Sequence, residues 1–151
     1  MVNKMKIFRQ SLLGVLATGL LQSSTAVAAE DPVLLLEEGW IRAMPPGMNM
    51  TAGFGRLRNL SDRPLEILGF SSPAFGEVSL HLSETLDGVS RMREIPTLRI
   101  EAGASVELAP GGYHLMLMLP REALQPDQPV TVVLTTADGD AFSFTVPVER
   151  R

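Results

Sequence analysis

The 151 residues contain no cysteine. That absence removes disulfide scaffolds, thiolate nucleophiles, Cys-type zinc sites, iron–sulfur clusters, thiol redox chemistry and blue-copper centres. Any soft metal ligand must then be methionine. A basic surplus is also missing: 13 Lys and Arg stand against 17 Asp and Glu, a net charge of −4, which gives no electrostatic footprint for nucleic acid. Histidine is scarce, at two residues. No long helical period, internal repeat or low-complexity tract is visible, and no nucleophile-elbow sequence supports a Ser-His-Asp hydrolase. What is present, 45% hydrophobic and 20% charged residues in 16.4 kDa, fits one ordinary globular domain.

Residues 1–28 read as a secretory signal peptide: a basic start at Lys4, Lys6 and Arg9, an apolar run from Leu12 to Leu21, then small residues ending in Ala26-Val27-Ala28. The run is short for a membrane span and Glu30 and Asp31 follow at once, which disfavours a retained anchor. Cleavage after Ala28 would leave residues 29–151 as a single domain. It would also remove three positive and no negative charges, taking the net charge from −4 to −7 and leaving no lysine. Export without cysteine fits an oxidising compartment, and the bacterial periplasm is the expected location.

From Trp40 onward, short apolar or alternating segments are cut by turn chemistry such as Pro45-Pro46-Gly47, Asp87-Gly88, Pro110-Gly111-Gly112 and Asp138-Gly139. Candidate strands are 39–44, 52–58, 65–70, 77–84, 89–94, 98–100, 106–108, 113–119, 130–135 and 141–148. This spacing predicts an all-β fold, an antiparallel sandwich or barrel with Greek-key connections.

The candidate chemistry lies on two of these segments. His114 and Met116 are two residues apart, so a strand projects both from one face while Tyr113, Leu115 and Leu117 project from the other. Around Leu86-Asp87-Gly88-Val89, a type I′ turn fixes a hairpin register that pairs Leu86 with Val89 and Ser83 with Met92. Met92 then shares a face with His81 as a diagonal neighbour. The same register puts Arg91 and Arg93 on the face of Val78, Leu80 and Leu82, so the hairpin must lie at an edge or carry a bulge. Two imidazoles and two thioethers form a neutral, soft donor set suited to Cu(I) and poorly suited to zinc, calcium or magnesium. The alternative is that the methionines fill core gaps and the histidines are ordinary polar residues.

His81, ten residues, Met92, twenty-one residues, His114, one residue, Met116 reproduces the His-x10-Met-x21-His-x-Met signature of the PCuAC periplasmic copper chaperones. Trp40-Ile41-Arg42-Ala43, Ser71-Ser72-Pro73-Ala74, Arg91-Met92-Arg93 and Leu108-Ala109-Pro110-Gly111-Gly112-Tyr113-His114-Leu115-Met116-Leu117 also resemble family segments, so the likeness covers nearly all of residues 38–148. The resemblance implies a cupredoxin-like β-sandwich that binds one Cu(I) through His81, Met92, His114 and Met116 and is not an enzyme. It implies transfer to a copper-acceptor protein, either the copper domain of cytochrome c oxidase subunit II, where the dinuclear site is assembled, or a Sco-type protein. The chain is expected to be a monomer. Two other readings stay open: a periplasmic copper buffer or resistance protein without a dedicated recipient, and a structural β-sandwich that holds no metal. The His- and Met-rich C-terminal extension of some relatives is not found in residues 145–151, hence the expectation of one high-affinity site.

Weaker features are Met44, Met48 and Met50 around Pro45-Pro46-Gly47, read either as an accessory soft patch or as adaptable loop packing. Met118 continues the His114 and Met116 face and is read either as a spare ligand or, with Pro120 following, as packing at the rim, the favoured reading. Trp40 is expected in the core, and Arg56, Arg58 and Arg63 on a solvated face.

Overall fold

Alternating apolar side chains separated by turn residues produce strands, and the computed structural model, which describes residues 33–151, contains ten. They are β1 (Leu34–Arg42), β2 (Met50–Asn59), β3 (Leu65–Ser71), β4 (Phe75–Leu86), β5 (Val89–Glu94), β6 (Leu98–Ile100), β7 (Ser105–Leu108), β8 (Tyr113–Pro120), β9 (Pro129–Thr136) and β10 (Ala141–Glu149). Each expected segment is present, and most are longer than expected by one or two residues at an end. The segment 1–28 lies outside the described residues.

The largest departure is β1, which starts at Leu34 instead of residue 39. Its register against β2 shifts between Glu37 and Trp40, with Glu38 at φ 50°. This bulge breaks the period of two, so residues before it do not continue the alternation that follows it. The bulge also needs two glycines. A Cβ on Gly55, at φ 145°, would lie 2.9 Å from the Gly39 Cα, and one on Gly39 would lie 2.6 Å from Val146 Cγ1, so the strands close here only without side chains.

The strands form one sheet in the order β5-β4-β8-β7-β2-β1-β10-β9-β3-β6, with further pairings of β3 to β4 and β2 to β8. The β3–β4 contact, Phe70 opposite Val78, joins strands from the two ends of that order and curls the sheet around its core. Pairing is antiparallel, as expected, apart from two short parallel contacts, Ile41–Arg42 beside Val148–Glu149 and Leu108 beside Tyr113. Inside lie Leu57, Ile67, Leu80, Leu117, Val132 and Val148, each at most 1% exposed. Trp40 is buried as expected, with its ring 4.7 Å from that of Phe54. The core is aliphatic and aromatic; none of the six methionines in the described residues is buried.

The β4–β5 hairpin has the register its turn requires. Asp87 and Gly88 have φ of 51° and 76°, Leu86 faces Val89 and Ser83 faces Met92. β5 is an edge strand, exposed along its whole length. This edge position is what lets Arg93 sit opposite Leu82: its guanidinium reaches Glu84 at 3.7 Å rather than entering the core.

Candidate metal centre

The outer face of β5, β4, β8 and β2 gathers the candidate ligands. β4 and β8 pair antiparallel from Phe75 opposite Pro120 to Leu82 opposite Tyr113. In that register Leu80, Leu115, Val78 and Leu117 turn inward and are buried, which forces the intervening residues outward. His81 therefore stands directly opposite His114, and Ser79 directly opposite Met116. Met116 is diagonal to His81, while Met92 approaches His81 diagonally from β5. All four candidates share one face, and each is adjacent or diagonal to another.

The two imidazole rings lie 6.1 Å apart, centroid to centroid, with planes inclined by 30°. With a metal–nitrogen bond of about 2.0 Å and the nitrogen about 1.1 Å from its ring centre, rings sharing a tetrahedral ion stand about 5 Å apart, so the two imidazoles would have to close by about 1 Å to share one. Both histidines and Met116 are half-buried, and Met92 is 52% exposed. Three of the candidate ligands thus lie on central strands and the fourth, Met92, on the exposed edge strand.

The hydrogen bonds leave one nitrogen free on each ring. His114 Nδ1 lies 3.0 Å from the Gly112 carbonyl, which can only accept, so Nδ1 carries the proton and the Nε2 lone pair is available. The same carbonyl accepts the Ser83 N–H at 3.1 Å, tying the Pro110-Gly111-Gly112 turn to β4 and fixing the direction of the ring. His81 Nε2 is 3.0 Å from Ser79 Oγ, while its Nδ1 is buried without any hydrogen-bond partner. Buried polar atoms normally find partners; in the tautomer that donates Nε2–H to Ser79, the His81 Nδ1 lone pair would be open to a metal. Such outer hydrogen bonds are the usual means of orienting histidine ligands. The Pro110-Gly111-Gly112 turn aims His114, as its sequence suggests, whereas Ser79 is a supporting residue that sequence reasoning missed, although it sits two positions before His81, where the strand period points.

A hard-cation site is not offered: among the described residues, no three or more His, Cys, Asp or Glu side chains cluster in a way that could hold a metal. The donors here are neutral nitrogen and sulfur, and the thioethers are what make up the number. Glu77 faces Met118 and Glu94 faces His81 across their pairs, so the face has carboxylates at its margins. The arginines at 56, 58 and 63 lie on an exposed strand face and turn, as expected. Hydrogen bonds that Arg56 and Arg63 donate to Glu107 and Asp138, and the charges of those carboxylates, raise the pKa of both arginines. Met44 and Met48 line an open groove of about 730 Å³ beside Pro46, Pro120 and Leu124, and Met50 faces Met118 at the start of β2.

Comparison with known proteins agrees with this architecture. The copper-bound PCuAC domain of PmoF2 superposes with a TM-score of 0.66 at 20% identity, over 80% of this chain and 95% of that domain. The Cu(I) form of DR1885 from Deinococcus radiodurans gives 0.62 at 27% identity, over 87% of this chain and 86% of that one. The fold is therefore the cupredoxin-like β-barrel of PCuAC domains, and the resemblance read from the sequence holds. "Putative lipoprotein Lxx21020" of Leifsonia xyli subsp. xyli is 35% identical over 115 residues, 76% of this chain and 68% of that protein. Residues 34–148 match the family model described as "Putative lipoprotein LpqE-like". With its core, its outer His/Met face and all but the last residue of its strands lying inside that match, the chain belongs to the LpqE-like family.

Proposed function

We propose that this protein is an exported Cu(I) chaperone that holds one cuprous ion between His81, Met92, His114 and Met116 and passes it to an acceptor. The observation that carries the reading is the pairing of His81 with His114 across β4 and β8, with His81 Nδ1 buried without a hydrogen-bond partner. The absence of any methionine of the described residues from the buried core supports it, because thioethers used for gap filling belong there. The Cu(I) state of the D. radiodurans relative supports the choice of ion.

A soft, neutral site is suited to transfer. Cu(I) keeps its charge throughout, no proton need leave a thioether, and ligands can be exchanged one at a time. Met92, on the exposed hairpin, is the donor an acceptor can displace first. The proposed recipient is the dinuclear copper site of cytochrome c oxidase, reached directly or through a Sco-type protein, and the proposed compartment is the periplasm.

The test is an anaerobic competition titration with a chromophoric Cu(I) chelator. One equivalent of Cu(I) should bind tightly and Zn(II) weakly; equal affinities for the two ions would remove the reading. In cells, loss of the protein should lower oxidase activity at limiting copper, with recovery on copper addition. Normal oxidase activity together with copper sensitivity would indicate sequestration instead of delivery.

Met92→Leu keeps the shape of the side chain and removes its sulfur. Because three donors remain, Cu(I) affinity should fall by about 10-fold, the low end of what losing a supporting group costs a metal site. The chelator should also strip the ion more quickly, as stopped-flow absorbance would show. An unchanged affinity and rate would take Met92 out of the ligand set.

A further inference from the structure

Beyond the four candidate ligands, the same outer face continues as a row of thioethers. Met118 follows Met116 at the strand period of two, and Met50 is its direct partner across the β2–β8 pair. Leu119 N–H donates to the Asn49 carbonyl at 2.9 Å, closing the two strands beside this pair. Met50 is 41% exposed, Met118 is half-buried, and Met48, 53% exposed, lies just before Met50 in a turn closed by its N–H to the Pro45 carbonyl at 3.2 Å. Opposite Met116 on β2 stands Ala52, which is too short to separate the two groups of sulfurs. Glu77 faces Met118 from β4 and sets a carboxylate against the row.

We propose that Met50 and Met118, with Met48 at the open end, form a second, weaker Cu(I) subsite that loads or unloads the centre at His81, His114 and Met116. The proposal rests on the Cu(I) reading of that centre. Directly opposed strand residues have Cβ atoms about 4.5–5.5 Å apart, and metal–sulfur bonds of about 2.3 Å let two flexible thioethers at that spacing share one ion. The Met50–Met118 pair lacks an imidazole and is open to water, so it holds the ion less firmly than the first centre. Movement between the two is ligand exchange: as a bond forms to Met118 sulfur, one to Met116 or a histidine breaks. The ion stays Cu(I), and neither an electron nor a proton changes place. The six methionines of the described residues then divide into Met92 and Met116 at the centre, Met50 and Met118 at the subsite, Met48 at its open end, where it also lines the adjoining groove, and Met44 in that groove.

The test uses the exported protein with carbon-13 labelled methionine methyl groups, titrated with Ag(I) as a redox-inert substitute for Cu(I). The first equivalent should shift the methyls of Met92 and Met116, and the second those of Met50 and Met118. Met50→Leu/Met118→Leu should bind the first equivalent but not the second, as metal analysis after desalting would show, and Cu(I) release to a chelator should slow by at least threefold. Unmoved Met50 and Met118 methyls through the second equivalent would overturn the subsite, as would a double variant that still takes up that equivalent. If the first equivalent bypasses Met92 and Met116, the four-ligand reading fails. A response at Met50 and Met118 in that case would leave the subsite standing by itself.

Discussion

Replacing His114 by alanine and Met116 by leucine together should lower Cu(I) affinity by more than about 100-fold, since losing even one supporting group around a metal typically costs 10- to 100-fold. These two donors come from one strand and occupy adjacent outward positions on β8, so the double variant leaves only His81 and the exposed Met92. The fold should survive. Both side chains point away from the core, while the inward Leu115 and Leu117 of the same strand are untouched. Chelator competition and circular dichroism on the same sample separate the two effects. Native affinity in the double variant would refute the site, whereas a broad loss of β-sheet signal would show that His114 and Met116 have a structural role not indicated by their exposure.

The second large effect concerns stability and arises far from the metal face. Asn59 is fully buried at the end of β2. Its Nδ2 donates to the carbonyls of Arg63, Ile100 and Glu101 at 2.7, 3.0 and 3.2 Å. Its Oδ1 accepts from the Ser61 backbone N–H and hydroxyl. One side chain thus joins the β2–β3 turn to the end of β6. Truncation in Asn59→Ala strands several buried groups, each costing about 1–3 kcal/mol when left unpaired. A loss of about 2–4 kcal/mol is expected, which corresponds to a drop of roughly 10 °C in Tm for a domain of this size. Asn59→Asp keeps the acceptor but has no donor, and it sets a carboxylate against three carbonyls, so it should be at least as harmful at neutral pH. Thermal or urea unfolding measures both; a change within about 0.5 kcal/mol for Asn59→Ala would contradict this account.

The legible parts of the molecule were those written in local pattern. Val89–Glu94 and Leu98–Ile100 match their expected ends, because turn residues bracket each on both sides. The Ser83–Met92 register followed from Asp87-Gly88 alone, since a two-residue turn leaves no freedom in how its strands align. By contrast, β1 was seen only from its second half, because the bulge at Glu38 reverses the phase of burial without a marker that composition provides. Asn59 went unnoticed for a related reason. An asparagine before a turn looks ordinary until Ile100 and Glu101, more than forty residues away, are found against it.

The candidate centre divides along the same line. Sequence by itself determined the neutral soft donor set, the shared face of His114 and Met116, and the approach of Met92 to His81, all consequences of a period of two and one tight turn. Only the tertiary structure decided that β4 lies beside β8, that His81 meets His114 in register, and that His81 Nδ1 is left without a partner. Strand alternation tells each residue which face to occupy, but the neighbour across a nonlocal pair is chosen by closure of the whole sheet around its core, a property of all ten strands together.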